Sequence, residues 1–314
     1  MDEFYFINNY FKKIAKNNLN DDVFFDKKNK LVVSVDTYNE GIHFPNFKNP
    51  DLVIKKVIRS SISDLIAKGV KPVYYFISGS GNKKKFTKKN LLLLINSLSN
   101  EQKKYKLKLS GGDTTVSKKI SFSITTIGFS NKVIERNKVK LHDDIYVTGN
   151  LGDSFVGLML IKKKIKLNKP FSKYFVNKYF SPDIPFKLTN HLHKFANSSM
   201  DVSDGIISDM YKLINKQKLS FLIDLDKLPI SKNLSYFLQQ YKFKKDSIIF
   251  HGDDYQTLFT ANKNKRRLIK SISKKINQKI TLIGKIQENH KVNTLKSQNS
   301  ALNMRKFKGY SHKF

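Results

Sequence analysis

The sequence predicts a mixed α/β protein built as two domains, and three observations carry that reading. The chain has 314 residues, 39% of them hydrophobic, which is enough for two cores. Runs of β-forming residues alternate with segments of helical spacing in both halves. Short clusters of Asp with Gly, Ser or Thr recur where those runs end.

Leu31 to Val35 is rich in β-formers and reads as a strand that delivers Asp36 to a sheet edge. Val53, Val57, Ile58, Ile62, Leu65 and Ile66 carry helical spacing over about 51–68, with Gly69 and Pro72 as stop signals. A short strand is expected over 73–78 and a helix over about 88–98. Leu107 to Ser110 then leads into Gly111-Gly112-Asp113. Residues 120–127 alternate almost strictly, the pattern of a sheet with one dry face. The polar stretch 136–144 lacks periodicity, so the domain boundary is expected there, giving domains of 1–140 and 141–314. Beyond it come a strand over 145–148 and a helix opened by Gly152-Asp153. A helix over 185–195 follows, then a strand entering Asp204-Gly205 and a helix to about Asn215. Further strands are expected over 221–223, 248–250 and 280–284.

Composition excludes several functions. With no Cys there are no disulfides, thiolate metal sites or Cys nucleophile. The N-terminal residues lack the basic-then-apolar layout of a secretory signal, and no apolar run reaches the roughly 20 residues that cross a bilayer. The chain reads as soluble and cytoplasmic. The net charge of +34 invites nucleic-acid binding, yet only five of the 59 cations are Arg, the usual bidentate reader of bases and phosphates. The lysines are spread along the chain, as on solvated faces, so nucleic acid is the weaker reading.

The chain spends its few acids on six clusters: Asp21-Asp22, Asp36-Thr37, Ser63-Asp64, Asp113-Thr114-Thr115, Asp201-Val202-Ser203-Asp204 and Asp253-Asp254. One such Asp is usually a turn or cap residue. Several together favour oxygen-lined sites for a hard cation such as Mg²⁺, which bridges to substrate phosphates. Paired glycines before Asp113 would let backbone approach a phosphate. No Walker or kinase glycine loop is present. A magnesium-dependent, phosphate-handling enzyme is the expectation. His43 follows Asp36 by seven positions and is a candidate substrate contact. His251 reads as turn chemistry or site lining.

In order, these elements resemble the thiamine-monophosphate kinase family, of the superfamily that includes aminoimidazole ribonucleotide synthetase. The resemblance rests on Asn20-Asp21-Asp22, Ser34-Val35-Asp36-Thr37, Glu40-Gly41-Ile42-His43-Phe44, Ser63-Asp64 through Gly69, and Gly111 through Thr115. It continues through Asp144 to Gly149, Asp201 to Gly205, Gly252 to Tyr255 and Phe307-Lys308-Gly309-Tyr310. It implies a two-domain synthetase-like fold, with an N-terminal sheet-forming ATP/Mg-binding and dimerisation domain and a C-terminal α/β domain completing the site. It implies transfer of the γ-phosphoryl of ATP to thiamine monophosphate, assisted by several Mg²⁺ ions, with no protein nucleophile. Asp22, Asp36, Asp64, Asp113, Asp201 and Asp204 would hold metal, with Ser34 and Val35 beside them. Tyr105, Gly112, Arg136 and Ser203 would contact nucleotide, and His43, Asp253 and Phe307 thiamine monophosphate. A homodimer is implied. This sequence departs from the family at Asn20 (Gly), Val35 (Thr) and Asp253 (Glu), and lacks Arg at Ser181 and Phe186. Alternatives are another ATP-dependent synthetase of the superfamily, or a basic nucleic-acid-associated protein with a decayed site.

Overall fold

The computed structural model describes residues 3–17, 19–215, 217–289, 293–297 and 300–303. Its first half runs α1 (Glu3–Asn9), β1 (Phe24–Asp26), β2 (Leu31–Asn39), α2 (Pro50–Ala67), β3 (Pro72–Gly81), α3 (Lys88–Tyr105), β4 (Lys108–Val116) and β5 (Ser121–Phe129). The strands form one sheet in the order β1-β2-β5-β3-β4. The second half adds β6 (Asp144–Thr148), α4 (Asp153–Ile161), α5 (Lys169–Phe180), α6 (Thr189–Leu192), β7 (Ala196–Asp201), α7 (Ile206–Leu213), β8 (Leu219–Asp224) and α8 (Lys232–Gln240). It closes with α9 (Asp246–Ile249), β9 (Thr257–Ala261), α10 (Arg266–Lys275), β10 (Ile280–Glu288), β11 (Thr294–Ser297) and β12 (Ser300–Asn303). A second sheet results, ordered β12-β11-β8-β10-β6-β9-β7. The mixed α/β class expected from the sequence is what forms.

α2 is the helix that positions the site. Pro50 starts it, where the missing N–H costs nothing. Val53, Val57, Ile58 and Ile62 pack against Tyr75, Ile120, Phe122 and Ile124 of the first sheet. Burial along β5 alternates as the sequence pattern requires, so one face of that sheet lies under α2. The opposite face is open: Val35 is 65% exposed and Phe129 51%. Every residue of the edge strand β4 is exposed. The second sheet carries its own core of Ile145, Val147, Met200, Phe221, Ile223 and Leu258.

Local expectations fail in three places. Residues 248–250 are not a strand; Asp246–Ile249 is a helical turn, with Ile248 and Ile249 buried in two neighbouring cores. Three apolar residues cannot separate strand from buried helix by periodicity. The helix expected over 185–195 breaks into a 3₁₀ turn at Phe186–Leu188 and the four residues of α6, with the Thr189 hydroxyl bonding the Phe186 carbonyl. Gly111-Gly112-Asp113 does not follow the end of a strand but lies within β4, with Gly112 opposite Ile77 of β3. The sequence reading also missed α5, α8, α10 and β9.

The loops at 203–205 and 250–252 approach each other through glycine. A Cβ on Gly205 would lie 2.1 Å from the Phe250 carbonyl oxygen, and its φ of +109° is itself unfavourable for other residues. Gly205→Ala is therefore expected to cost about 1–3 kcal/mol in denaturant unfolding. Wild-type stability in that variant would show that the two loops need not touch.

Candidate active site

Both halves contribute walls to a cavity of about 620 Å³. β2 brings Val35 and Asp36 from mid-strand rather than from its end, because β2 runs on to Asn39. α2 brings Asp64, the segment just before β1 Asp22, and the end of β7 Asp201, with Ser203 and Asp204 just beyond. Arg136, His43 and Asp253 complete the lining among the expected residues. Carboxylate oxygens of Asp22, Asp64 and Asp201 all lie within 4.8 Å of one another.

The acids fall into two electrostatic classes. Asp22 is clamped by Arg136 and by Lys68, whose Nζ lies 2.7 Å away and also 2.5 Å from Asp21. Asp204 pairs with Lys212, which also holds the buried Asp209 at 3.0 Å. Asp253 pairs with Lys56 at 2.5 Å. Asp36, Asp64 and Asp201 have no ion pair among the described residues. The Ser34 hydroxyl donates to Asp64 at 2.5 Å and the Ser63 hydroxyl to Asp201 at 2.6 Å. Asp36 Oδ2 is buried without a hydrogen-bond partner.

Three adjacent carboxyls, Asp201 buried and Asp36 and Asp64 half-buried, resist ionisation. Burial pushes Asp36 up to about 8, and the charge of Asp201 adds to it. Burial, then Asp36 and Asp201, hold Asp64 well above the usual carboxylate range. Burial lifts Asp201 to about 6 against the hydrogen bond from Ser63. An orphaned buried carboxylate oxygen beside two further carboxyls suits a hard divalent cation, which takes oxygen ligands and supplies the missing charge. The donor set fits Mg²⁺.

The remaining expected residues lie elsewhere. Ser34 supports Asp64 without lining the cavity. Asp113 and Gly112 are on exposed β4, away from the cavity lining. Tyr105 ends α3, 2% exposed, with its ring edge-on to Phe186 at 5.5 Å. Phe307 lies outside the described residues. Asn20 is not among the positive-φ residues, so the turn before Asp21 does not need the glycine conformation.

Sequence reasoning missed three lysines, Lys56, Lys68 and Lys212. The first two had a signal: Lys56, Ser60, Asp64 and Lys68 recur every four residues along α2 and its end, a polar stripe on a helix whose other positions are mostly apolar. Lys56 and Lys68 are 1% and 0% exposed. His251 also lines the cavity, its ring stacked on Phe155 at 3.5 Å. The His43 Nδ1 accepts the Asn39 N–H at 2.9 Å, which places any ring proton of the neutral form on Nε2.

These shifts fix a pH dependence. Folded carboxyls with raised pKa values keep protons that the unfolded chain releases, so metal-free stability falls as pH rises from about 4 toward 8. A Mg²⁺ ion held by these carboxyls would compete with those protons, so any stabilisation it gives should grow between pH 6 and 8.5. Melting temperatures with and without Mg²⁺ check this, and an equal shift at both pH values would refute the metal assignment. Asp64→Asn should melt higher than wild type without metal at pH 8.5, and should lose most of the Mg²⁺ shift.

The sequence matches the family model described as AIR synthase related protein, N-terminal domain, over residues 20–130. A thiamine-monophosphate kinase of Buchnera aphidicola subsp. Acyrthosiphon pisum is 33% identical, covering 90% of each chain. One from Aquifex aeolicus is 31% identical over 75% of this chain and 77% of its own. Among solved structures, AaThiL complexed with AMPPCP and TMP superposes with a TM-score of 0.86 at 27% identity, covering 99% of this chain and 97% of that one. With a fold, an oxygen-lined cavity and full-length relatives that agree, the chain belongs to the thiamine-monophosphate kinase family.

Proposed function

We propose that this protein transfers the γ-phosphoryl group of ATP directly to thiamine monophosphate, giving thiamine diphosphate and ADP. The observation that carries the reading is the convergence of Asp22, Asp36, Asp64, Asp201 and Asp204 on one cavity from both halves of the chain. The kinase relatives and the AMPPCP- and TMP-bound AaThiL support it. Converging acids also argue against a decayed site.

The five Asp would hold Mg²⁺, with the Val35 main chain alongside. Bound there, several Mg²⁺ ions would neutralise the phosphates and let two anionic reactants approach in line. Arg136 and Ser203 would contact the nucleotide, and His43 and Asp253 the thiamine substrate, with Phe307 as a further expected contact. The acceptor is itself a phosphate, nucleophilic near neutral pH, so no general base or phosphoenzyme is required. Lys68 and Arg136 pair with Asp22 and hold it in place beside the cluster. Among the described residues no helix is long and apolar enough to cross a membrane.

Asp113, Gly112 and Tyr105 do not line the cavity, so we assign Asp113 and Gly112 to a site shared with a second copy. The open sheet face and the exposed edge strand β4, with Leu109 47% and Val116 87% exposed, are the surface available for a homodimer. Residues 1–140 would then dimerise and bind ATP and metal, and 141–314 would complete each site.

Incubation with ATP, Mg²⁺ and thiamine monophosphate, followed by chromatography, should yield thiamine diphosphate; no product would end the kinase reading. Asp113→Ala and Asp64→Ala should each be inactive alone. Mixed after subunit exchange, they should recover about a quarter of wild-type activity, since half the dimers carry one intact site. No recovery from fully exchanged dimers would place Asp113 outside a shared site.

A further inference from the structure

We infer that Lys56 is a positioning residue that fixes the Asp253 carboxylate for recognition of the acceptor substrate. The inference rests on the reading above that Asp253 contacts thiamine monophosphate. Lys56 does not line the cavity. Its side chain is 1% exposed, and its Nζ lies 2.5 Å from Asp253 Oδ1. The same ammonium sits over the Tyr179 ring at 3.9 Å and the Tyr255 ring at 5.4 Å.

Three features make this an orienting device rather than a simple brace. First, the Tyr255 hydroxyl also donates to Asp253 Oδ1, at 3.0 Å. Among the described residues both contacts therefore engage one oxygen, and Oδ2 is left for the cavity, the side chain being 28% exposed. Second, Asp253 is held at φ +69°, a left-handed conformation that Asp adopts more readily than most residues and that sets the direction of its side chain. Third, Tyr179 donates its hydroxyl to the His43 carbonyl at 2.9 Å. The aromatic ring beneath Lys56 thus anchors the other loop proposed to touch the acceptor. One buried ammonium references both loops to α2, the helix that also carries Asp64.

Energetics favour the same conclusion. An ion pair with one fully buried partner adds little stability compared with apolar residues of similar size, because the Lys56 ammonium must leave water. Burial lowers the Lys56 pKa, with Asp253 opposing the fall. Such a costly pair at the cavity wall is accounted for by the carboxylate it orients.

Lys56→Met keeps length and packing but removes the charge. It should raise KM for thiamine monophosphate about tenfold, leave KM for ATP within about twofold, and be partly rescued by Lys56→Arg. If Lys56 acts through Asp253, Lys56→Met combined with Asp253→Asn should be no worse than the worse single variant. Multiplying effects, or equal rises in both KM values, would overturn the inference. Should Lys56→Met fail to fold, Tyr255→Phe removes the second donor to the same oxygen and should show a smaller rise confined to thiamine monophosphate; no rise would count against the inference. Wild-type turnover is a separate control whose absence sinks only the kinase reading. Calorimetric binding of thiamine monophosphate to wild type and Lys56→Met then decides on Lys56, an unchanged Kd overturning the inference.

Discussion

Mutual repulsion among Asp36, Asp64 and Asp201 is the constraint around which this fold is arranged. No chain would gather three carboxyls in a desolvated pocket for stability, since each pays to leave water and each raises the cost of ionising the next. What holds them is the rigidity of their supports. Asp36 is in the middle of a paired strand, Asp64 on a helix buried along most of its length, and Asp201 at the end of a strand in the other sheet. The two cores therefore impose the site on the acids.

Countercharge is distributed unevenly and to a purpose. Lys68, Arg136 and Lys212 neutralise the flanking acids, while Ser34 and Ser63 give the central ones only hydroxyl donors. A cation filling the centre would complete that balance. The same cavity is also lined by Ile42, His43, Phe155 and His251, so apolar and aromatic groups share its wall with the acids. The overall charge of +34 has little part in it, because the cations that matter here are a few buried ones.

Much of the fold was legible because it rests on period. Strand alternation over 120–127 and helical spacing over 51–68 correspond to β5 and α2, whose burial follows the pattern closely. Where a run was short, as at 248–250, period carried no information and neighbouring cores decided. The glycines before Asp113 show the limit of motif reading. Gly-Gly-Asp looks like a phosphate turn, yet its backbone is committed to the β3–β4 ladder.

The sequence by itself determined which residue types were available: oxygen donors without thiols, a signature order of acidic clusters, and two alternating cores. Residue types and spacing could not say that Asp22, Asp64 and Asp201 meet, since 137 positions separate Asp64 from Asp201 and convergence depends on how two sheets pack. The four-residue stripe on α2 marks Lys56 and Lys68 as sharing a face with Asp64, but it does not show that their ammonium groups are buried. Burial alone separates a structural ammonium from a solvated one, and burial is a property of the packed tertiary structure.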